Sequence, residues 1–248
     1  MIDFGKQPLF SPPVFTTNFK IMKAILSVLV VFAFVGVGLA QESETRTIES
    51  FRGIKAGEAI DVYLKKGTKE SVKVEVTGIK LSEIITEVSG TNLRIHRREG
   101  NYRNKNTVKV YVTYVNIEKI SASSAANVFS EGIIKATGFT IDISSAASVE
   151  VSLDVEILTV DASSAGDAVL AGKANSINVE ANSAGDIDAY GLESNIVRAN
   201  ANSGGSAKVS VLKELDAQAN SGGSIRYRGN PTKTNTDSNS GGSVKKSN

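Results

Sequence analysis

The chain has 248 residues, room for one or two domains, and an apolar fraction of 41% that excludes a wholly disordered polymer. Cysteine and tryptophan are absent and there is one histidine, so a disulfide framework, a thiolate metal site and a lipidated N-terminal cysteine are excluded. The formal charge is +2; once Lys6, Lys20, Lys23 and Asp3 in the first 40 residues are set aside, acids and bases balance, which removes nucleic acid as an expected partner.

Residues 1–21 carry Pro8, Pro12 and Pro13 and fit no targeting design. Translation is expected to begin at Met22, which makes them an upstream extension. Residues 22–40, MKAILSVLVVFAFVGVGLA, read as a secretory signal peptide. Lys23 is its positive end, Ala24 to Val37 its apolar centre, and Gly38-Leu39-Ala40 its small-residue cleavage end. The alternative is an anchor. The uncharged run of roughly 17 residues is at the short limit for spanning, and the small-residue end favours cleavage. The expected location is the periplasm, the outer surface or the extracellular space, with membrane contact only through this segment.

Residues 41–118 are expected to be a β-rich N-terminal part. AIDVYLKKG, SVKVEVTG, NLRIHRREG and TVKVYVTYV each alternate apolar with polar residues and end near a turn. EVSGTNLRI predicts a hairpin bridged by Ser89-Gly90-Thr91-Asn92. The block predicts irregular coils or a small sheet that caps whatever follows.

Residues 119–248 hold one phrase seven times, from ASSAANV to SNSGGSV. Its second polar residue is Ser124, Ser145, Ser164, Ser183, Ser203, Ser221 and Ser240, at spacings of 21, 19, 19, 20, 18 and 19. Around each serine every second position is apolar, as in Leu158, Val160 and Ala162 before Ser164. A unit this short cannot hold a βαβ crossover, which needs roughly 30 residues. Two strands of about six residues and two turns do fit. The spacing therefore predicts an all-β parallel β-solenoid (β-helix) with coils of about 19 residues. The phrase is expected at a sharp bend built by Ser164, Gly166, Ser183, Gly185, Ser203, Gly205, Ser221 and Gly223. Glycine there permits positive φ and close backbone approach. Ala126 and Ala147 take that place in the first two copies, where a gentler bend is expected. Asn182, Asn202, Asn220 and Asn239 could stack as an amide ladder. The last copy puts Thr236 and Ser238 at core positions and ends on Lys245-Lys246, which predicts a polar closing coil.

The succession FRGIKAGEAIDVYLKKG, VKVEVTG, ITEVSGTNLRI and VKVYVTYVNIEKISASSAANV resembles the head GIN domain family, described as auto-transporter adhesins of Gram-negative bacteria. The resemblance spans about Ile48 to Gly229. It departs at Val115, where the family pattern usually has proline, and in the early alanines where glycine is common. It implies a pectin-lyase-like β-solenoid, exported, without a known catalytic apparatus and with adhesion as its suggested role.

Candidate chemistry is sparse. His96 alternates with Leu93 and Ile95 on the polar side, and nothing marks an orienting third group for a triad. One histidine and no cysteine leave no zinc set, and no metal or other cofactor is expected. Asp142, Asp161 and Glu180 should share one outward column and Asp167 and Asp186 another, with Asp188 nearby. At about 4.8 Å per coil such carboxylates could gather Ca²⁺, cleave polysaccharide as an acid and base roughly 5–9.5 Å apart, or only solvate the face. Arg97, Arg98 and Arg103, with Arg94, Lys105, Lys109 and Tyr102, form a basic patch that could meet acidic glycan or a headgroup. Aromatic platforms for sugar look scarce, with Tyr190 and Tyr227 isolated. The expectation is a non-enzymatic structural or adhesive module whose partner is a glycan or cell-surface component. The competing reading is a polysaccharide-binding or polysaccharide-degrading protein on the acidic face. A homo-oligomer is open through the Ala-rich coils or the C-terminal edge.

Overall fold

Alternating apolar residues on a chain that turns at regular intervals can bury one face of every strand only by stacking coil on coil. The computed structural model describes residues 41–100 and 106–247. The expected extension and signal peptide lie outside the described residues, as do Tyr102, Arg103 and Lys105. The described residues are almost entirely β, with a single 3₁₀ turn at Leu81–Glu83.

The N-terminal part contains β1 (Gln41–Arg46), β2 (Gly53–Ala56), β3 (Asp61–Lys66), β4 (Ser71–Thr77), β5 (Ile84–Ser89), β6 (Asn92–Arg97), β7 (Thr107–Tyr114) and β8 (Lys119–Ala122). The repeats contain β9 (Asn127–Ile143), β10 (Ser148–Ala162), β11 (Asp167–Ala181), β12 (Asp186–Ala201), β13 (Ser206–Ala219), β14 (Ser224–Arg228), β15 (Lys233–Ser238) and β16 (Ser243–Lys246). From β9 onward every pairing between coils is parallel, with equivalent residues opposite one another around each turn, such as Val149 with Val128 and Ala168. The expected pair of short strands per coil is in β9 to β13 one long strand of 14–17 residues. Its second corner is made without leaving the sheet. In β10 the exposed pair Glu156-Ile157 shifts the inward parity between Val155 and Leu158, and the ladder continues through it.

The turns are tight at every copy. Ser164 and Ala165 have φ of 50° and 61°, and Gly166 N–H donates to Ser163 O at 2.9 Å. Two consecutive positive φ values are the mark of a type I′ turn. The gentler bend expected at the first copies is not found: Ser124 and Ala125 have φ of 54° and 61°, Ser145 and Ala146 54° and 59°. The glycine column does not supply the positive φ; the serine and its successor do. Gly185, Gly205, Gly223 and Gly242 are needed because a Cβ there would run into the carbonyl oxygen of Ala162, Ala181, Ala201 or Ala219 in the preceding coil. The turns are bonded to one another through backbone, Ala165 N–H donating to Ser183 O and Gly204 N–H to Ser221 O. No amide-to-amide bond joins the asparagine column among the described residues.

The unequal spacings have a structural cause. The 21-residue interval carries a bulge in β9, where Ser130, Glu131 and Gly132 stand opposite Val151 alone. The 20-residue interval has one extra residue in β12, where Ala189 and Tyr190 stand opposite Leu170. The 18-residue interval omits partners for Tyr190 to Leu192 and regains one residue at Leu212-Lys213.

The coil ladder also extends below the first recognised repeat. β2 pairs with β8 (Ile54 with Ile120) and β3 with β9 (Val62 with Val128), both parallel. Glu58 and Ala59 between them have φ of 61° and 55°, and Ala59 N–H donates to Ser124 O at 2.9 Å. GEAI is thus one more turn of the stack, 66 residues ahead of its neighbour, with β4 to β8 inserted between. Beyond it the expected cap is present. β7 lies parallel to β3, then β4 and β1 follow antiparallel, while the hairpin of β5 and β6 covers β2. The hairpin closes at Gly90-Thr91 with Ser89 paired to Asn92. One core runs through everything from Phe51 to Ile225. It thins toward the C-terminus, where all of β15 is exposed although paired to β13.

Candidate functional site

The strand alternation that buries Val160 and Ala162 turns Asp161 outward, and the register turns its equivalents outward beside it. The column before the turn runs Arg94, Lys55, Ser121, Asp142, Asp161, Glu180, Asn200, Gln218 and Asp237. Partial burial lifts the Asp161 carboxyl above its ordinary value, and Glu180 and Asp142 push in the same direction. At the near end Lys119 Nζ is 2.6 Å from Asp142 Oδ2. The column after the turn runs Asp61, Asn127, Ser148, Asp167, Asp186, Ser206, Ser224 and Ser243. Asp167 is likewise raised, by burial first and then by Asp186. Lys208 Nζ reaches Asp188 at 3.1 Å and Asp186 at 4.0 Å, which neutralises part of that face. Register thus joins the acids in two separate columns, with Asp161 and Asp167 on opposite sides of one turn. Among the described residues no group of three or more His, Asp or Glu is arranged to hold a metal ion.

The basic residues sit at the other end of the stack. Arg97 holds the Gly57–Ile60 bend: Nε donates to Glu58 O at 2.8 Å, a terminal nitrogen to Asn106 Oδ1 at 2.7 Å, and its backbone N–H to the Glu58 carboxylate. These bonds stabilise two residues in the left-handed region, at a site where side-chain-bearing residues cost roughly 1–2 kcal/mol each. Arg98 N–H donates to Glu83 O. Arg103 lies outside the described residues. His96 Nδ1 is 3.0 Å from Arg97 O, and its Nε2 is 3.7 Å from a Glu87 carboxylate oxygen. It faces a shallow depression with Lys55, Glu58 and Ser123.

The aromatic groups contradict the expectation of scarcity. Tyr111, Tyr63 and Phe129 are register partners on β7, β3 and β9, all pointing outward from buried neighbours. Their rings stack at 5.2 Å and 5.3 Å between centroids, with interplanar angles of 19° and 22°. Lys73 Nζ lies 5.9 Å above the Tyr111 ring and pairs with Glu75 at 2.7 Å. A hydrogen bond from Lys73 holds the Glu75 carboxyl below its ordinary value. Beyond Phe129, between it and Val169, opens a cleft lined by Ser130, Glu150 and Ser152. Tyr190 is not isolated either. Arg228 stacks over its ring at 4.0 Å and its hydroxyl is 2.7 Å from Ser247 Oγ. The parity of VYL, VYV and NVF was visible in the sequence. The adjacency was not, because it requires Asp61–Lys66 to be recognised as part of a coil.

A parallel β-solenoid with an antiparallel cap, polar outer columns and open clefts belongs to the class of repeat modules that present an extended surface rather than a closed pocket. The chain belongs to the family described as "Putative auto-transporter adhesin, head GIN domain", matched over residues 50–231. It is an adhesin-family β-solenoid module. Solved structures share the fold. A "putative adhesin" from Bacteroides fragilis is 22% identical, with a TM-score of 0.77 over 84% of this chain and 97% of that one. A "putative lipid binding protein" from Parabacteroides distasonis is 17% identical, with a TM-score of 0.65 over 86% and 98%. A "putative adhesin" from Parabacteroides merdae is 19% identical, with a TM-score of 0.60 over 86% and 98%. A comparison with curated proteins finds no match.

Proposed function

We propose that the protein is an exported, non-catalytic adhesive module that meets glycan at a cell surface. The observation that carries this reading is the family match across the cap and nearly the whole stack. The Bacteroides fragilis and Parabacteroides merdae proteins that share the fold each carry the description "putative adhesin", which agrees with it. The architecture supplies a mechanism by geometry. Side chains held one coil apart on a backbone-bonded ladder lose little freedom on contact, so many weak polar contacts can add up. The net charge is small, which suits a neutral or mixed partner surface better than a polyanion. The test is surface labelling together with adhesion. Intact cells expressing the protein should lose it to added protease and should adhere to glycan-coated plates in proportion to its amount. Full protection from protease, with release only on opening the envelope, would overturn the reading.

A further inference from the structure

We propose that the cleft beside Phe129 on the outer face is a binding subsite for a neutral saccharide. The proposal rests on the glycan-contact reading above and gives that contact a place. In the stack of Tyr111, Tyr63 and Phe129, each ring spends a face on its neighbour. Lys73 lies over the outer face of Tyr111 at one end. Phe129 is the other end, and its remaining face is turned toward β10, where the cleft lies.

The backbone is built irregularly at this same place. Ser130, Glu131 and Gly132 bulge out against Val151, with Gly132 at a φ of 109°. Bulges re-aim side chains and locally end strand pairing. Here Ser130 Oγ accepts the Ser152 N–H at 3.0 Å, a bond that spans the bulge. The Ser130 hydroxyl proton stays available for an incoming oxygen.

The lining has the chemistry of a sugar ring. Phe129 and the 43% exposed Val169 are apolar, Ser130 and Ser152 are polar, and Glu150 is the single charged group. A pyranose carries C–H bonds with partial positive charge on one face and hydroxyls around its rim. The first suits the negative face of an aromatic ring, and the second suits a carboxylate and two hydroxyls. The charge selects among saccharides. Glu150 accepts from hydroxyls but repels the carboxylate of a uronic acid or a sulfate ester. Three stacked rings on paired strands make the wall rigid before binding, which lowers the ordering cost.

The experiment is isothermal titration of the purified whole chain with β-1,4-linked hexasaccharides of glucose, mannose and N-acetylglucosamine, with a galacturonate hexamer as the acidic counterpart. At least one neutral hexamer should bind and the acidic one should bind more weakly. Phe129→Ala and Phe129→Leu should weaken binding roughly tenfold, and Glu150→Gln about threefold. Asp161→Asn, on the acidic column, should stay within about twofold, since it touches no part of the cleft. Phe129→Leu keeps apolar bulk, and an unchanged melting temperature shows that its loss is of contact and not of fold. No binding of any neutral hexamer, preference for the galacturonate, or wild-type affinity in Phe129→Leu would each overturn the subsite. Cells that still adhere with Phe129→Leu overturn the subsite and leave the adhesive reading standing. Purified protein that loses hexamer binding on Phe129→Leu, from cells that never adhere, upholds the subsite and removes the adhesive reading.

Discussion

Two adjacent glycines in one turn, Gly204 and Gly205, should respond very unequally to the same added methyl group. At Gly205 an ideal Cβ collides with the Ala181 carbonyl oxygen and lies 2.5 Å from its carbon and 3.0 Å from Asn182 N. That carbonyl accepts the Asn202 N–H at 2.9 Å, so moving it away also weakens a bond between coils. Overpacking of about 2 kcal/mol and a strained hydrogen bond of about 1 kcal/mol give about 3 kcal/mol for Gly205→Ala. At Gly204, φ is 74° and nothing lies within 4 Å of the added atom. Ala125, Ala146, Ala165 and Ala184 already occupy that place with φ near 60°. Gly204→Ala should therefore cost only the left-handed penalty, about 1 kcal/mol. In a domain of this size a kilocalorie shifts the midpoint by roughly 2–4 °C, so Gly205→Ala should melt about 6–12 °C low and Gly204→Ala about 2–4 °C low. Circular dichroism melts measure the difference, and hydrogen exchange should localise the first loss to the coils around Ala181 and Ala201. Equal melting of the two variants, or a greater loss in Gly204→Ala, would refute the close-approach account of the glycine column.

Asp161→Asn should raise the melting temperature at pH 7. A carboxyl whose folded pKa is lifted above its ordinary 3.8 binds its proton more tightly when folded, so it lowers stability as pH rises through that window. The gain of the variant should shrink as pH falls toward 4 and vanish below it; a gain independent of pH would contradict the burial and charge cause. Hydrogen exchange should be fastest in Lys233–Ser238, where every residue is exposed, and slowest in β9 and β10, whose cores hold Ile141, Leu153 and Leu158; uniform protection along the stack would count against the thinning core. Deleting Glu131 and Gly132 should restore a 19-residue coil, leave the melting temperature equal or higher, and abolish saccharide binding at Phe129; loss of folding would show that the bulge is structural.

The repeat was legible because each coil obeys the same steric rule. Leu158, Val160 and Ala162 before a turn, and Ala168 after it, can be sheltered only by equivalents directly above and below. The outward acids followed from the same parity. Three features were not legible, each for a physical reason. The turn at GEAI lacks the Ser-Gly phrase because Arg97, from β6, supplies the bonds that hold Glu58 and Ala59 in the left-handed region. Of the two roles the sequence allows for Gly205, positive φ and close backbone approach, the structure keeps the second; a residue excluded by a neighbouring carbonyl and one required by its own φ look alike in sequence. The aromatic stack was missed because Tyr63 and Phe129 are 66 residues apart, with β4 to β8 inserted between them.

The irregular spacings carry more information about function than the regular ones. A 19-residue coil stacked on a 19-residue coil repeats one set of contacts, and its outer side chains can only form a straight column. A coil of different length must place the surplus somewhere. An odd surplus along the strand would reverse the buried face, and in β9 and β12 the surplus is taken up as a bulge instead. Both long intervals behave this way. The 21-residue one opens the cleft next to Phe129, and the 20-residue one turns Tyr190 toward Arg228 and Ser247. The acidic columns run through regular register on either side of the turns, and there the charges meet one another, Lys119 and Lys208. In a solenoid whose body is dictated by stacking, the register faults are where the chain is free to build something else. On the proposed saccharide subsite, contact would fall beside Ser130–Gly132 rather than along Asp142, Asp161 and Glu180.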